Sequence, residues 1–178
     1  DRNDVELVIR VHPHLAGKTG LTRAFDECGF YEKLKAAAFR NSRIIMPDEP
    51  FNSYALMDEA DVGLTFCSST GIEMAMLGKR IVLAARNFYE AGSQIISVRS
   101  RESLAEDLER SLQPFSAREV SREAYRLAYY YAFEFELPFP LVSVLGVIKF
   151  ELNYRGWAAL APGRDESLDR ICGYLLEN

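Results

Sequence analysis

The stretch from Ala60 to Asn87, ADVGLTFCSSTGIEMAMLGKRIVLAARN, limits the folds open to this chain more than any other part. It opens with a short apolar run, Val62 to Phe66, of the length and bulk of a buried strand. Small polar residues follow, Ser68, Ser69, Thr70 and Gly71, and then Ile72, Ala75 and Met76 at helical spacing. Gly78 stands where a helix would stop, and Lys79-Arg80 lead into a second apolar run, Ile81 to Ala85. Strand, polar turn, helix, strand is a βαβ unit. Its polar turn falls at the carboxyl end of a strand, where open parallel sheets bind ligands.

Two readings of that turn stand side by side. A helix start leaves backbone N–H groups unpaired and carries about half a positive charge, so it welcomes an anion such as phosphate. Ser68, Ser69 and Thr70 add hydroxyls, and Gly71 lets a ligand come close to the backbone. The other reading is local: Thr70-Gly71-Ile72-Glu73 fits a capping box, in which Thr70 and Glu73 satisfy each other's backbone groups and bind nothing.

The rest of the first two-thirds repeats the alternation. Val5 to Val11 reads as a strand stopped by His12-Pro13-His14, with Pro13 pushing His12 towards an extended shape. Tyr31 to Arg40 reads as a helix, and Ser42 to Met46 as a second strand closed by Pro47. Turn residues Asp48 to Ser53 lead into a helix over Tyr54 to Ala60. After Ala85 come a loop, a short fifth strand near Gln94 to Val98, and an amphipathic helix from Arg101 to Leu112. The alternation predicts an α/β fold: a doubly wound, mostly parallel, Rossmann-like sheet of about five strands covering residues 1–113.

The character changes beyond Ser116. Arg118 to Glu136 reads as one long helix crowded with Tyr125, Tyr129, Tyr130, Tyr131, Phe133 and Phe135. An apolar run, Leu141 to Ile148, and an amphipathic helix carrying Leu168, Ile171, Leu175 and Leu176 complete the chain. Residues 114–178 are thus expected to form a helical extension packed on the core, one domain overall. The tyrosine-rich stretch either closes one face of the sheet or meets a further domain, a subunit or a membrane surface.

Composition bounds the function. A net charge of −5 and a pI near 5.2 argue against a nucleic-acid partner. Cys28, Cys67 and Cys172 are far apart, odd in number and without a CxxC pair, so neither a disulfide framework nor a zinc site is expected. No secretory signal opens the chain and no apolar run reaches membrane-spanning length. The unpaired cysteines favour a reducing compartment, so a cytoplasmic protein is expected, with peripheral contact at the inner membrane face left open. A start at Asp1, with a strand already under way at Val5, reads as a piece of a longer protein.

Taken in order, Arg10-Val11-His12-Pro13, Tyr54 to Val62, Ser68 to Glu73 and Gly78-Lys79 resemble the C-terminal, donor-binding domain of GT-B glycosyltransferases. The likeness covers residues 5–92 and is nearest to the enzymes of bacterial capsule polysaccharide biosynthesis. It implies a nucleotide-sugar as substrate, no metal and no further cofactor. By the same resemblance His12 contacts the donor phosphate and serves catalysis, while Ser68, Ser69, Thr70 and Gly71 hold that phosphate. Glu73 would touch the ribose, Pro47 and Asp48 would line the base, and Arg10 is a lesser candidate whose other reading is a plain ion pair with a carboxylate. A histidine, two hydroxyls and a helix amino end aimed at one point would stabilise the charge growing on a departing nucleotide.

The chain departs from the family in one respect: nothing in it matches the N-terminal acceptor domain, so the glycan acceptor and the general base are expected from a missing domain. Two other readings stay open. One is a teichoic-acid-type polyol-phosphate transferase, with a nucleotide-sugar epimerase further behind. The other is a non-catalytic interaction module in which the tyrosine-rich stretch docks a partner.

Overall fold

The computed structural model describes residues 3–15, 27–37, 39–92, 94–134, 136–146 and 149–177. Its first strand, β1 (Leu7–Arg10), pairs in parallel with β2 (Ser42–Ile45), Leu7 opposite Ser42 and Arg10 opposite Ile45. Between them runs α1 (Glu27–Ala36), which starts and ends four residues earlier than the sequence reading placed it. A short α2 (Ser53–Glu59) follows, capped by Asn52, whose side chain accepts from the Tyr54 and Ala55 amides. Then come β3 (Val62–Thr65), α3 (Thr70–Met76), β4 (Arg80–Leu83), β5 (Ile95–Ser97) and α4 (Leu104–Ser111). β3, β4 and β5 form a parallel ladder in that order. The predicted strand–turn–helix–strand unit is present.

The expected single five-stranded, doubly wound sheet is not. Among the described residues the parallel strands pair as a two-stranded and a three-stranded ladder, with no pairing between β1 and β3. Helix cover also differs between the two ladders. α3 lies against β3 and β4, and α4 against β4 and β5, whereas α1 touches chiefly β2 and buries none of its described residues. The free edges stay partly solvated, with Leu7 and Leu64 about half exposed.

The main core sits on the α3 side of the three-stranded ladder. Met57, Ile72, Met74, Ala75, Ile81, Leu83, Tyr89, Val120 and Ala124 pack there. Val120 and Ala124 come from α5 (Ala117–Tyr129), which lies along α3. Ser116 caps α5 by accepting from the Glu119 amide, and the Ser121 hydroxyl donates to the Met76 carbonyl, 2.8 Å away, tying α5 to the end of α3.

α3 stops where the sequence said it would. Gly78 is in the left-handed region, φ +79°. Its N–H reaches Ala75 O at 2.9 Å, and the Lys79 N–H reaches Met74 O at 3.1 Å, the paired bonds of a Schellman end.

The tail is not wholly helical. The long helix expected over Arg118 to Glu136 runs as α5 and then widens into a π turn, Tyr130–Glu134; Phe135 lies outside the described residues. The apolar run from Leu141 supplies β6 (Val142–Val144), which pairs antiparallel with β7 (Phe150–Leu152). Helix α6 (Glu166–Glu177) follows. Tyr125, Tyr129, Tyr130 and Phe133 are exposed, while Tyr131 is half-buried. No helix among the described residues is long and apolar enough to cross a membrane.

Candidate functional site

Two strand ends carry the predicted site residues. The first belongs to β1 and β2. Val11 extends the pairing by donating to Ile45 O at 3.0 Å, so His12 and the Pro47-Asp48 turn leave the same end of the two strands. His12 is exposed, and its carbonyl accepts from the Leu15 amide as Pro13–Leu15 forms a single tight turn. Pro47 is buried and Asp48 exposed, so of the two Asp48 is the one open to a ligand.

Glu49 closes that turn. Its Oε1 accepts from the Met46 amide at 2.8 Å and pairs with Lys35 Nζ at 2.6 Å. Arg10 is engaged in the same corner. Its Nη1 donates to Met46 O rather than to a carboxylate, and its buried Nε has no partner among the described residues.

The second strand end is the serine turn. Here the structure corrects the capping-box alternative. α3 is entered through Ser69, which lies in the helical region and makes no side-chain cap bond. The cap comes from one residue earlier: Ser68 Oγ accepts from the Thr70 amide at 3.2 Å and donates to Thr70 Oγ1 at 2.8 Å. Counted from Ser68 the capping-box position is Gly71, so Glu73 stands two positions too far along to reach back as a capping box requires. Instead it accepts from Ser69 Oγ at 3.1 Å. The Ser68 and Ser69 carbonyls take up the Gly71, Ile72 and Glu73 amides.

A hydroxyl has one proton to give. Ser69 gives its proton to Glu73, and Ser68 gives its proton to Thr70. Both serine hydroxyls thus find their acceptors within the turn.

Two residues at this turn escaped the sequence reading. Tyr89, fully buried, donates to Ser68 O at 2.6 Å and lies 3.3 Å from Thr65 Oγ1. Tyr54 projects from α2 and hydrogen-bonds Glu73, and that carboxylate holds the phenol above its ordinary pKa. The signals were slight. Tyr54 lies off the apolar Leu56, Met57 and Ala60 stripe, and Tyr89 follows Phe88 as one of two large rings in an otherwise polar or small-residue loop. Neither says which turn the hydroxyl meets.

The two strand ends belong to different ladders, so no common sheet brings His12 beside Ser69. Two open, shallow hollows also lie elsewhere. One, of about 420 Å³, is at the amino ends of β1 and β2, lined by Asn3, Glu6 and Arg40 among others. The other, of about 370 Å³, is at the amino ends of β4 and β5, between Arg80, Gln94 and Arg110. Arg80 is already committed there: it donates to Arg110 O and Gln113 O and stacks 4.4 Å over the Phe115 ring, which closes the end of α4. Both hollows face away from the carboxyl ends at which ligands bind parallel strands.

Comparison with protein-family models, curated proteins and solved structures gives no match. Among the described residues no cluster of three His, Cys, Asp or Glu side chains is placed to hold a metal ion.

Proposed function

We propose that this chain is the donor-binding domain of a glycosyltransferase of surface or capsule polysaccharide biosynthesis, and that it binds the nucleotide part of a nucleotide-sugar at the Ser68–Glu73 turn. The observation that carries the reading is the pairing of Ser69 with Glu73 at the carboxyl end of a parallel strand. A diphosphate arriving at that point takes the Ser69 proton for one of its oxygens. The same step frees the Glu73 oxygen, which then accepts from a ribose hydroxyl. One hydrogen bond opens and two form, both with a charged acceptor, the stronger kind.

The reading also assigns His12, which stands on the other ladder and is not held beside Ser69 by a common sheet, a hydrogen bond to the donor as charge collects on the leaving nucleotide. The sugar acceptor and the general base come from a domain outside this chain.

The test is calorimetric titration with CMP, CDP, UDP and GDP on the wild type, Ser69→Ala and His12→Ala. Binding of one nucleotide, lost by tenfold or more (about 1.4 kcal/mol) in both variants, supports the site and identifies the base. A folded protein that binds none of the four sinks the reading.

A further inference from the structure

The aromatic stretch at the end of α5 and the serine turn are linked by an unbroken run of contacts. Tyr131, inside the π turn, donates its hydroxyl to the Phe88 carbonyl, and its ring meets that of Phe88 edge to face with centroids 4.8 Å apart. The Phe88 ring meets Tyr89 in the same way at 5.0 Å. Tyr89 then donates to Ser68 O at 2.6 Å. The loop that carries Phe88 and Tyr89 is clamped by its own ion pair, Arg86 to Glu90 at 3.0 Å, and Glu90 also takes the Asn87 amide.

π turns inside helices often occur at functional sites, because their altered register re-aims a side chain. Here the π turn holds the residue that fastens this loop. Tyr89 cannot shift without opening the core, since it is fully buried. Burial also raises its pKa, so the hydroxyl remains a donor through neutral and mildly alkaline pH.

We propose that Tyr89 is a positioning residue for the Ser68–Gly71 turn and that Tyr131 braces it, so that the aromatic end of α5 sets the geometry of the phosphate-binding turn. The proposal rests on the nucleotide-donor reading. It gives the tyrosine-rich stretch a role in the site that a partner-docking surface would not have. Ser68 is the point of control because its carbonyl takes Tyr89 and Gly71 while its hydroxyl takes Thr70. Moving that one residue disturbs four bonds at the mouth of α3, its hydroxyl also donating to Thr70 Oγ1.

The experiment compares wild type, Tyr89→Phe, Tyr131→Phe and the double variant by two readouts. The first, without ligand, is amide hydrogen exchange over residues 65–72. Loss of one neutral hydrogen bond predicts exchange about three- to tenfold faster in Tyr89→Phe. The second is calorimetry with UDP, CDP and GDP, with inorganic pyrophosphate and the free nucleosides as controls. Affinity for the diphosphates and pyrophosphate falls by a similar factor, while nucleoside binding does not change.

Tyr131→Phe gives a smaller change in the same direction. The double variant matches Tyr89→Phe alone, since Tyr131 acts through Tyr89. Unchanged exchange in Tyr89→Phe, or fully additive effects, overturns the proposal. Wild-type binding that Tyr89→Phe leaves untouched also overturns it while the donor reading stands. If the wild type binds no diphosphate, the donor reading falls and the ligand half of the proposal falls with it.

Discussion

Gly71 and Tyr89 share one space: a Cβ built on Gly71 would stand 2.2 Å from the Tyr89 hydroxyl oxygen and 2.9 Å from Thr65 Oγ1. The glycine is there for close packing of the helix start on the buried ring. Its backbone is helical, so conformational freedom is not what the position needs. Gly71→Ala is therefore expected to destabilise by about 1–3 kcal/mol through overpacking, measured by chemical denaturation. Adding Tyr89→Phe removes the closest atom and should restore part of that loss. A Gly71→Ala protein as stable as wild type would mean the ring has room to move.

The Glu73 carboxylate is shared by Ser69 and Tyr54, and Tyr54 reports on it. The hydrogen bond from the Tyr54 phenol to Glu73 raises the phenol pKa above its ordinary 10.0, with the negative charge of Glu73 adding to the effect. A raised tyrosine pKa stabilises the fold below the unfolded value, and that contribution disappears as pH rises through the folded one. Glu73→Gln should return the Tyr54 titration towards 10.0, followed by ultraviolet absorbance. The same titration run with a bound nucleotide should show a downward shift if the ribose draws Glu73 away.

Gly78 is a different case from Gly71. At φ +79° it occupies a conformation that other residues reach at a cost, and an added Cβ would also lie 3.1 Å from Ala117 O. Gly78→Ala is expected to cost about 1–2 kcal/mol, seen as a lower midpoint of urea unfolding. Because Gly78 ends α3 against the start of α5, the loss should come with little change in any ligand affinity at the serine turn.

Glu49 predicts an acid-side effect. Its hydrogen bond with Lys35, then that from the Met46 amide, holds the carboxyl below its ordinary value of 4.5. The lowered pKa means the stabilisation is present above the unfolded value and disappears as pH falls through the folded one. The difference in melting temperature between wild type and Glu49→Gln should be open at neutral pH and close on acidification below about 4.5. Both partners are well exposed, so the difference is small and shrinks further with added salt. A gap that stays constant down to strongly acid pH would contradict the assignment.

The sequence by itself determined the local units: five parallel strands alternating with helices, the stop at Gly78, and a polar turn at the carboxyl end of β3. These are short-range matters, set by periodicity, turn chemistry and the few residues on either side. Tertiary structure decided which strands are neighbours, because four-residue strands with similar apolar faces carry no mark of their partners. It also decided that Ser68 rather than Thr70 caps α3, that Arg10 meets the Met46 carbonyl rather than a carboxylate, and that part of the tail folds as a hairpin. The Tyr89–Ser68 bond belongs with these. The Arg10–Met46 and Tyr89–Ser68 bonds join part-buried groups 36 and 21 residues apart, whose meeting depends on tertiary packing and not on their near neighbours in sequence.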